Sequence, residues 1–235
     1  MVKKLLLAII VFQISVSSYS QADKAASDIE QLMQETPVMG LSVAVVKNNK
    51  LIYTKAYGLK DAELKTPLST VDIFRIASIS KSFSATSIMQ LVEKKKLSLD
   101  DDVSDLIGFK VRNPQYPDVV ITLKMILSHT SSLNDSEGYF SLDAINPSKN
   151  NDWQKCYNSY EPGKGYQYCN LNFNMAGTII ERVSGERFDH YVLNHILKPL
   201  KLYGGYNVNE LNQNLFAKIY EFNIDSAKFI YSPGA

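Results

Sequence analysis

Apolar residues near the start of the chain alternate in a way that predicts strands. Two β-rich runs, Gly40 to Val46 and Leu51 to Tyr57, flank the segment Lys47-Asn48-Asn49-Lys50. This segment is typical of a hairpin turn, because asparagine tolerates positive φ. A surface helix is predicted ahead of the strands, from Ala22 to Glu35, and it ends before Pro37.

The middle of the chain has helical spacing instead. After Ser78, apolar residues recur as expected for an amphipathic helix, at Ile79, Phe83, Ile88, Leu91 and Val92. Thr122 predicts the start of a short helix in ITLKMILSHTSSL, residues 121–133. Further on, one helix is predicted to end at Gly185, and another covers residues 188–197 before Pro199.

The first twenty residues have the three-part pattern of a secretory signal peptide. Lys3 and Lys4 precede an apolar run, and Ser18-Tyr19-Ser20 predicts cleavage before Gln21. The apolar run is well short of the roughly 20 residues that a membrane-spanning helix needs. We therefore expect residues 1–20 to be a signal peptide, with an exported, periplasmic or secreted product that has no stable membrane span after cleavage.

The remaining residues, 21–235, have the composition of one globular domain, or of one domain with a subdomain. Apolar residues make up 45% of the chain, which is enough to bury a core. The predicted signal peptide contains two of the 25 basic residues and none of the 24 acidic ones, so its removal changes the net charge from +1 to about −1. A balance this close to neutral gives no reason to expect nucleic acid as a partner.

Residues that often bind metals do not have metal-ligand spacing here. Asp100-Asp101-Asp102 lacks the glycine and the distal glutamate of a calcium loop, so helix capping is expected there. His129 is interpreted as a hydrogen-bonded structural histidine, with a catalytic base as the less favoured alternative. Cys156 and Cys169 are either a disulfide or two free thiols in an exported chain.

Ser78 and Lys81 are the first candidates for covalent chemistry. The run FRIASISKSF places Ser78 at a helix N-terminus and Lys81 three residues later on the same helix face. Serine is a poor nucleophile until a neighbouring base takes its proton, and a lysine at this spacing is within reach. The backbone N–H of Ser78 is also placed to stabilise an oxyanion. Taken alone, the spacing is a weak signal.

Three motif-like segments follow one another along the chain: FRIASISKSF, ITLKMILSHTSSL and EPGKGYQYCN. Together they resemble the serine β-lactamase and penicillin-binding-protein superfamily, in its class C-like branch. The resemblance covers about Gly40 to Leu200. It implies an α/β (α+β) fold in which an antiparallel sheet is flanked by helices and accompanied by a helical subdomain. The branch includes D-alanyl-D-alanine carboxypeptidases, D-aminopeptidases and esterases, so the resemblance does not choose a substrate.

The resemblance also implies roles for four residues. Ser78 is the acylated nucleophile, and Lys81 is the lysine that helps to activate it. Tyr168 and Asn170 match the family's tyrosine-x-asparagine motif. A tyrosine beside cations ionises below its usual pKa and takes part in proton transfer, and an asparagine amide binds a substrate carbonyl. Whether Lys81 or Tyr168 is the general base is left open.

Two features depart from the family's pattern. Ser132 stands where the family usually has glycine, so the turn in HTSSL is expected to change if it needs positive φ. The third motif, a strand with lysine or histidine, then a hydroxyl or small residue, then glycine, is missing, so we expect a fold that is incomplete at its C-terminus. Loss of the oxyanion donor on that strand costs about 100-fold to 1,000-fold in rate.

The sequence therefore predicts an exported serine hydrolase that acts through a Ser78 acyl-enzyme. Its substrates are the amide or ester bonds of β-lactams, D-Ala-D-Ala peptides or related esters, and its activity is expected to be impaired at this length. The alternative is a non-catalytic fragment or pseudoenzyme that binds peptidoglycan-like ligands or a partner. No cofactor or metal is expected, and the oligomeric state is left open.

Overall fold

The computed structural model describes residues 23–232, so the predicted signal peptide lies outside the described residues. The chain divides into two compact units. One consists of residues 23–75 together with residues 212–232, and the other is Ile76–Leu211. The first contains antiparallel strands and the second is mainly helical, which confirms the predicted mixed α/β fold with a helical subdomain.

The first unit is built on the predicted hairpin. Helix α1 covers residues 23–35, and strands β1 (Gly40–Lys47) and β2 (Lys50–Asp61) pair antiparallel. The turn between the strands holds Asn48 at φ 51° and Asn49 at φ 57°. A two-residue hairpin turn requires these left-handed conformations, and asparagine adopts them at lower cost than most residues. The predicted helix and hairpin are both confirmed.

Three short strands complete this unit. Strand β3 (Thr66–Pro67) pairs with the end of β2, so the sheet order is β1-β2-β3. Strands β4 (Tyr220–Asn223) and β5 (Lys228–Tyr231) form a separate antiparallel pair. A parallel bridge between Ile73 and Phe216 ties the two stretches of the unit together. Neither β4 nor β5 contains the glycine that the third family motif requires.

The second unit consists mainly of helices, which are α2 (Lys81–Glu93), α3 (Val103–Ile107), α4 (Leu123–Leu127), α5 (Asn170–Ser184) and α6 (Phe188–Val192). The end of α5 is as predicted, because Gly185 has φ 76° and its N–H bonds to the carbonyl of Glu181. The predicted helix over residues 188–197 is also present, but after α6 it continues as a π turn over Leu193–Leu197.

Helix α5 lies at the centre of this unit and contacts α2, α3, α4 and α6. Its fully buried apolar side chains are Leu171, Met175, Ala176, Ile179 and Ile180. Ile88 and Leu91 of α2 are buried as predicted, but Ile79, which precedes α2, is 67% exposed. The reason is that residues Ala77–Ser80 form a 3₁₀ turn, so the α-helical spacing begins only at Lys81.

The predicted capping residues occupy their places. The Asp102 side chain accepts the N–H of Ser104 at 2.8 Å where α3 begins. Thr122 Oγ1 accepts the N–H of Met125 at 3.4 Å where α4 begins. Each bond satisfies one of the N–H groups that a helix start leaves without an intrahelical partner.

Two further features bear on the sequence predictions. Cys156 and Cys169 are buried free thiols, so the second of the two alternatives for the cysteines holds in this structure. Among residues 23–232, no helix combines the length and the apolar character needed to cross a membrane.

Candidate active site

Ser78 lies in the 3₁₀ turn Ala77–Ser80, which leads directly into α2. Ala77 has φ 44°, a conformation that costs roughly 1–2 kcal/mol for a residue other than glycine. Such strain is held in place by surrounding structure and recurs at functional sites. Ser78 is exposed, and its N–H is among the first of the helical segment, where N–H groups have no intrahelical acceptor. The turn therefore presents both the hydroxyl and the backbone N–H of Ser78.

The four residues singled out by the sequence lie together. Lys81 Nζ is 3.1 Å from Ser78 Oγ and 2.8 Å from Asn170 Oδ1. Tyr168 Oη donates to Ser78 Oγ at 2.7 Å. Lys81 and Ser78 share one face of the helical segment, as their spacing predicted. Asn170 is the first residue of α5, and Tyr168 comes two residues before it, so the start of α5 delivers both side chains to the serine.

The phenol of Tyr168 is the group whose ionisation this arrangement changes. The Lys81 amine, by hydrogen bonding to the phenol oxygen, lowers the pKa of Tyr168 below its usual value of 10.0, and the hydrogen bond with Ser78 lowers it further. The direction agrees with the sequence prediction, with Lys81 as the cation. Because Tyr168 is 40% exposed, solvent screens this effect. The phenolate form is nevertheless reached at lower pH than in a free tyrosine.

His129 packs against Tyr168 and bonds to the residue that follows it. Its Nδ1 accepts the N–H of Cys169 at 3.2 Å, and its ring stacks on Tyr168 with the centroids 4.6 Å apart. Burial, and then the charge of Lys81, lowers the pKa of His129. The ring is therefore neutral at pH 7, which leaves Nδ1 able to accept. The prediction that His129 is hydrogen-bonded is confirmed.

Asp135 is a site residue that the sequence reasoning missed. Its carboxylate accepts from Asn170 N at 2.8 Å, Asn170 Nδ2 at 2.9 Å, Leu171 N at 3.0 Å and Cys169 Sγ at 3.1 Å. Burial by itself would raise the pKa of Asp135, but these donors outweigh burial and lower it. A carboxylate at this position also faces the positive end of the α5 dipole. Asp135 thus fixes both the start of α5 and the amide of Asn170.

No sequence period connects Asp135 to Asn170, which lies 35 residues later. The sequence placed Asp135 only within a polar region, residues 134–158, that was expected to form loops around a cleft. A lone acidic residue in such a region has no partner that spacing alone would identify. The only available signal was that Asp135 comes soon after the second motif-like segment, six residues beyond the His129 of that segment.

Ser132 adopts the conformation that glycine would favour at its position. Its φ is 64°, and its Oγ accepts a hydrogen bond at 3.0 Å from the buried side chain of Asn113. The turn therefore has positive φ with serine in place. Backbone strain at this residue is accompanied by a buried hydrogen bond that glycine could not make.

One group of potential metal ligands lies elsewhere in this unit, formed by Asp189, His190 and Glu210. Arg187 Nη2 already pairs with both carboxylates, and the pair with Glu210 is 3.1 Å long. The guanidinium supplies there the positive charge that a metal ion would bring. This arrangement is that of an ion-pair network on the surface.

Residues 25–211 match the family described as Beta-lactamase. This range contains Ser78, Lys81, Asp135, Tyr168 and Asn170. The chain belongs to the Beta-lactamase family. The resemblance to the serine β-lactamase and penicillin-binding-protein superfamily, identified from the three motif-like segments, is thereby confirmed.

Individual members of the Beta-lactamase family and fold agree with this assignment. The chain is 31% identical over 191 residues to Protein flp of Staphylococcus aureus (strain N315), covering 79% of this chain and 37% of flp. The octameric penicillin-binding protein homologue from Pyrococcus abyssi superposes with TM-score 0.74 at 29% identity, covering 90% of this chain and 50% of that one. EstCE1, a hydrolase with promiscuous acyltransferase activity, has the same fold with TM-score 0.74 at 24% identity, covering 93% and 60%. The chain thus spans about one third to three fifths of the length of these proteins.

Proposed function

We propose that this chain is a serine hydrolase domain that forms an acyl-enzyme on Ser78 with amide or ester substrates. One observation supports this most strongly: Ser78 Oγ lies 3.1 Å from Lys81 Nζ and 2.7 Å from Tyr168 Oη. A serine becomes nucleophilic when a base within hydrogen-bond reach is held by a third group. Here Tyr168 is that base, and the amine of Lys81 is the group that holds it.

Acylation begins with transfer of the Ser78 hydroxyl proton to the Tyr168 phenolate. The freed oxygen attacks the substrate carbonyl carbon, and the carbonyl π electrons move to its oxygen. The backbone N–H of Ser78 faces that developing oxyanion. When the tetrahedral intermediate collapses, the bond to the leaving group breaks and the leaving group takes the proton from Tyr168. Lys81, with its Nζ held 2.8 Å from Asn170 Oδ1, stabilises the phenolate throughout as a cation.

Asn170 is the substrate-binding residue in this proposal. Its Oδ1 is directed at Lys81, and its Nδ2 donates one proton to Asp135 at 2.9 Å. An amide nitrogen carries two protons, so a second remains for a substrate carbonyl. Hydrolysis is completed when Tyr168 takes a proton from water, the water attacks the Ser78 ester, and Ser78 Oγ leaves with that proton.

The test is covalent labelling of the 235-residue chain. We expect incubation with a fluorescent penicillin, and separately with a small activated ester, to add the mass of the acyl group to Ser78. Intact mass and peptide mapping give the amount and the position of the label. Ser78→Ala is expected to remove it, whereas Ser82→Ala, one helical turn further along α2 and also exposed, is expected to keep it.

The second candidate function, a non-catalytic protein that binds peptidoglycan-like ligands or a partner, gives a different outcome in the same experiment. It predicts reversible retention of penicillin or D-Ala-D-Ala peptide with no adduct on Ser78. Such a result would sink the acyl-enzyme proposal. The presence of all four motif residues in hydrogen-bonding positions favours the enzyme.

We further propose that the substrates belong to the β-lactams, D-Ala-D-Ala peptides or related esters, and that the protein is exported to the periplasm or secreted. The first part draws on the penicillin-binding and hydrolase relatives, and the second on the signal-peptide pattern of residues 1–20. Expression with those residues present, followed by N-terminal sequencing of the exported product, is expected to give Gln21 as the first residue. Retention of the uncleaved chain inside the cell would contradict export.

A further inference from the structure

A stacked pair of aromatic side chains lies in the segment that follows Asp135. The rings of Tyr139 and Phe140 have centroids 4.5 Å apart at an interplanar angle of 33°. Phe140 is 80% exposed. Single exposed apolar residues are ordinary, but two stacked rings form a flat apolar surface that favours contact with another flat group.

This pair forms one side of a shallow cavity, open to solvent, of about 460 Å³, which is large enough to admit a small aryl group. The other walls include Ala144 and the charged side chains of Glu137, Asp143 and Lys149. The backbone around it is held in place, because the N–H of Gly138 bonds to the carbonyl of Asp135 at 2.9 Å and the Asn150 amide donates to the carbonyl of Ala144 at 2.8 Å.

The segment that carries the aromatic pair contacts α5, the helix whose first residue, Asn170, lies beside Lys81. The side-chain amide of Asn174 donates to the carbonyl of Tyr139. Asn174 lies four residues after Asn170, so the two share a helix face about 6 Å apart along the axis. The turn that leads to the cavity also begins at Asp135, whose carboxylate holds Asn170. The backbone carbonyl of Tyr139 is therefore held about one helical turn along α5 from Asn170.

The charges of the cavity narrow the choice of substituent. Glu137 and Asp143 outnumber Lys149, so the lining carries a net negative charge. A substituent with its own carboxylate is repelled, whereas a neutral ring stacks on Tyr139 and Phe140 without loss of hydration of a charge.

We propose that this cavity is a subsite of the Ser78 centre that binds an uncharged aryl group in the acyl part of the substrate. The inference rests on the proposed function, because it assigns the substrate class of the same site. It makes arylacetyl esters and amides better acyl donors than acetyl compounds of equal reactivity.

The test compares the rates at which trifluoroethyl phenylacetate and trifluoroethyl acetate acylate Ser78, followed by intact mass. We expect the phenylacetyl ester to react faster, and Phe140→Ala to lower the ratio of the two rates about tenfold, as expected for losing one apolar wall of a pocket. Leu200→Ala, which truncates a similarly exposed apolar residue in the same unit, is the matched control and is expected to leave the ratio unchanged. A ratio that is the same in the Phe140→Ala chain overturns the inference.

Two further measurements test the negative charge of the cavity and separate failure of the subsite from failure of Ser78 acylation. Trifluoroethyl 4-carboxyphenylacetate is expected to react more slowly than the phenylacetate, and Asp143→Asn to reduce that difference; equal rates would count against the charge assignment. If neither ester leaves an adduct or is hydrolysed in a way that Ser78→Ala abolishes, the proposed function fails. Saturation-transfer NMR with phenylacetamide then decides on the subsite, since a signal that is equal with and without the Phe140 ring overturns it.

Discussion

The carboxylate of Asp135 determines which way the side-chain amide of Asn170 faces. Asp135 Oδ2 accepts both the backbone N–H and the Nδ2 of Asn170, at 2.8 and 2.9 Å. With Nδ2 held by a carboxylate, Oδ1 is left pointing at Lys81 Nζ, 2.8 Å away. The result is a series of hydrogen bonds that runs from the Asp135 carboxylate through the Asn170 amide to the Lys81 amine and the Ser78 hydroxyl.

The first prediction concerns Asp135→Asn, which disrupts this series of hydrogen bonds. Both carboxylate oxygens accept from donors, so the new amide nitrogen faces a donor in either orientation: the Nδ2 of Asn170 at the Oδ2 position, or the N–H of Leu171 at the Oδ1 position. We expect the rate of Ser78 acylation by fluorescent penicillin to fall about 10-fold to 100-fold, because a hydrogen bond to a charged group contributes about 1.5–3 kcal/mol.

The control for this experiment is Asp118→Asn, which makes the same chemical change at an exposed position of the same unit. Thermal melting of both variants separates loss of activity from loss of fold. An Asp135→Asn chain that acylates at the unsubstituted rate would show that Asp135 does not orient Asn170.

The second prediction concerns pH. The pKa of Tyr168 is lowered by Lys81 and Ser78, and the phenolate is the form proposed to accept a proton. Acylation should therefore accelerate as pH rises through that lowered pKa, with a midpoint below the usual value of 10.0. Tyr168→Phe is expected to lose this limb of the profile as well as most of the rate.

The measurement is the second-order acylation rate between pH 6 and about 10.5, a range that brackets an ordinary tyrosine. Tyr166→Phe is a matched control, because Tyr166 is also exposed and lies two residues away. If the pH dependence is the same in the Tyr168→Phe chain, the phenol is not the base.

Much of the fold followed from local chemistry. The turn at Asn48 and Asn49 and the ends of the helices at Gly185, Asp102 and Thr122 are set by residues within a few positions of one another, and spacing reports such relations directly. Ile79 shows the limit of this reasoning, because a 3₁₀ turn changes the angular step between residues and leaves that side chain exposed.

The residues of the site likewise divide into those that the sequence could predict and those that it could not. Ser78 and Lys81 are neighbours on one helical segment, so their contact could be predicted, and Tyr168 with Asn170 followed from the motif resemblance. Asp135 and the Tyr139–Phe140 pair could not be predicted, because their contacts with α5 join residues about 35 positions apart through loops. The periodic patterns of helices and strands relate only residues a few positions apart, so they do not report contacts made through loops.

The third prediction concerns Ser132, where two effects of similar size oppose each other. Ser132→Gly relieves a left-handed conformation that costs roughly 1–2 kcal/mol, but it raises the entropy of the unfolded chain and removes the bond from Asn113, each about 1 kcal/mol. The net change in unfolding free energy should be near zero. Ser132→Ala keeps the strain and loses only the hydrogen bond, so it should be about 1 kcal/mol less stable than the unsubstituted chain.

Urea unfolding of the three chains measures these differences. The order of stability is the decisive result, since the alanine chain should unfold first. A glycine chain less stable than the alanine chain would mean that backbone strain at Ser132 contributes little.

The fourth prediction tests an ion pair that stabilises the helical unit. Asp102 caps α3 through Ser104 N, and its carboxylate accepts from both Nη atoms of Arg112, with the Nη1 bond at 3.0 Å. Burial by itself would raise the pKa of Asp102, but the bonds from Arg112 and Ser104 outweigh it and lower the pKa. Asp102→Asn keeps an oxygen for the cap and removes the charge, so a loss of about 1–3 kcal/mol is expected. Asp102→Ala should lose about 1 kcal/mol more, because the cap also goes.

The sign of the pH dependence follows from the lowered pKa of Asp102. In the unfolded chain this carboxyl titrates near pH 3.9, so the ion pair contributes its full stability above that pH and loses it as pH falls through the lower pKa of the folded state. The difference in unfolding free energy between the unsubstituted and Asp102→Asn chains should thus be constant from about pH 7 to 5 and shrink below about pH 4. Urea unfolding at several pH values measures it, and a gap that stays constant down to pH 2 would show that the Asp102 charge does not stabilise the fold.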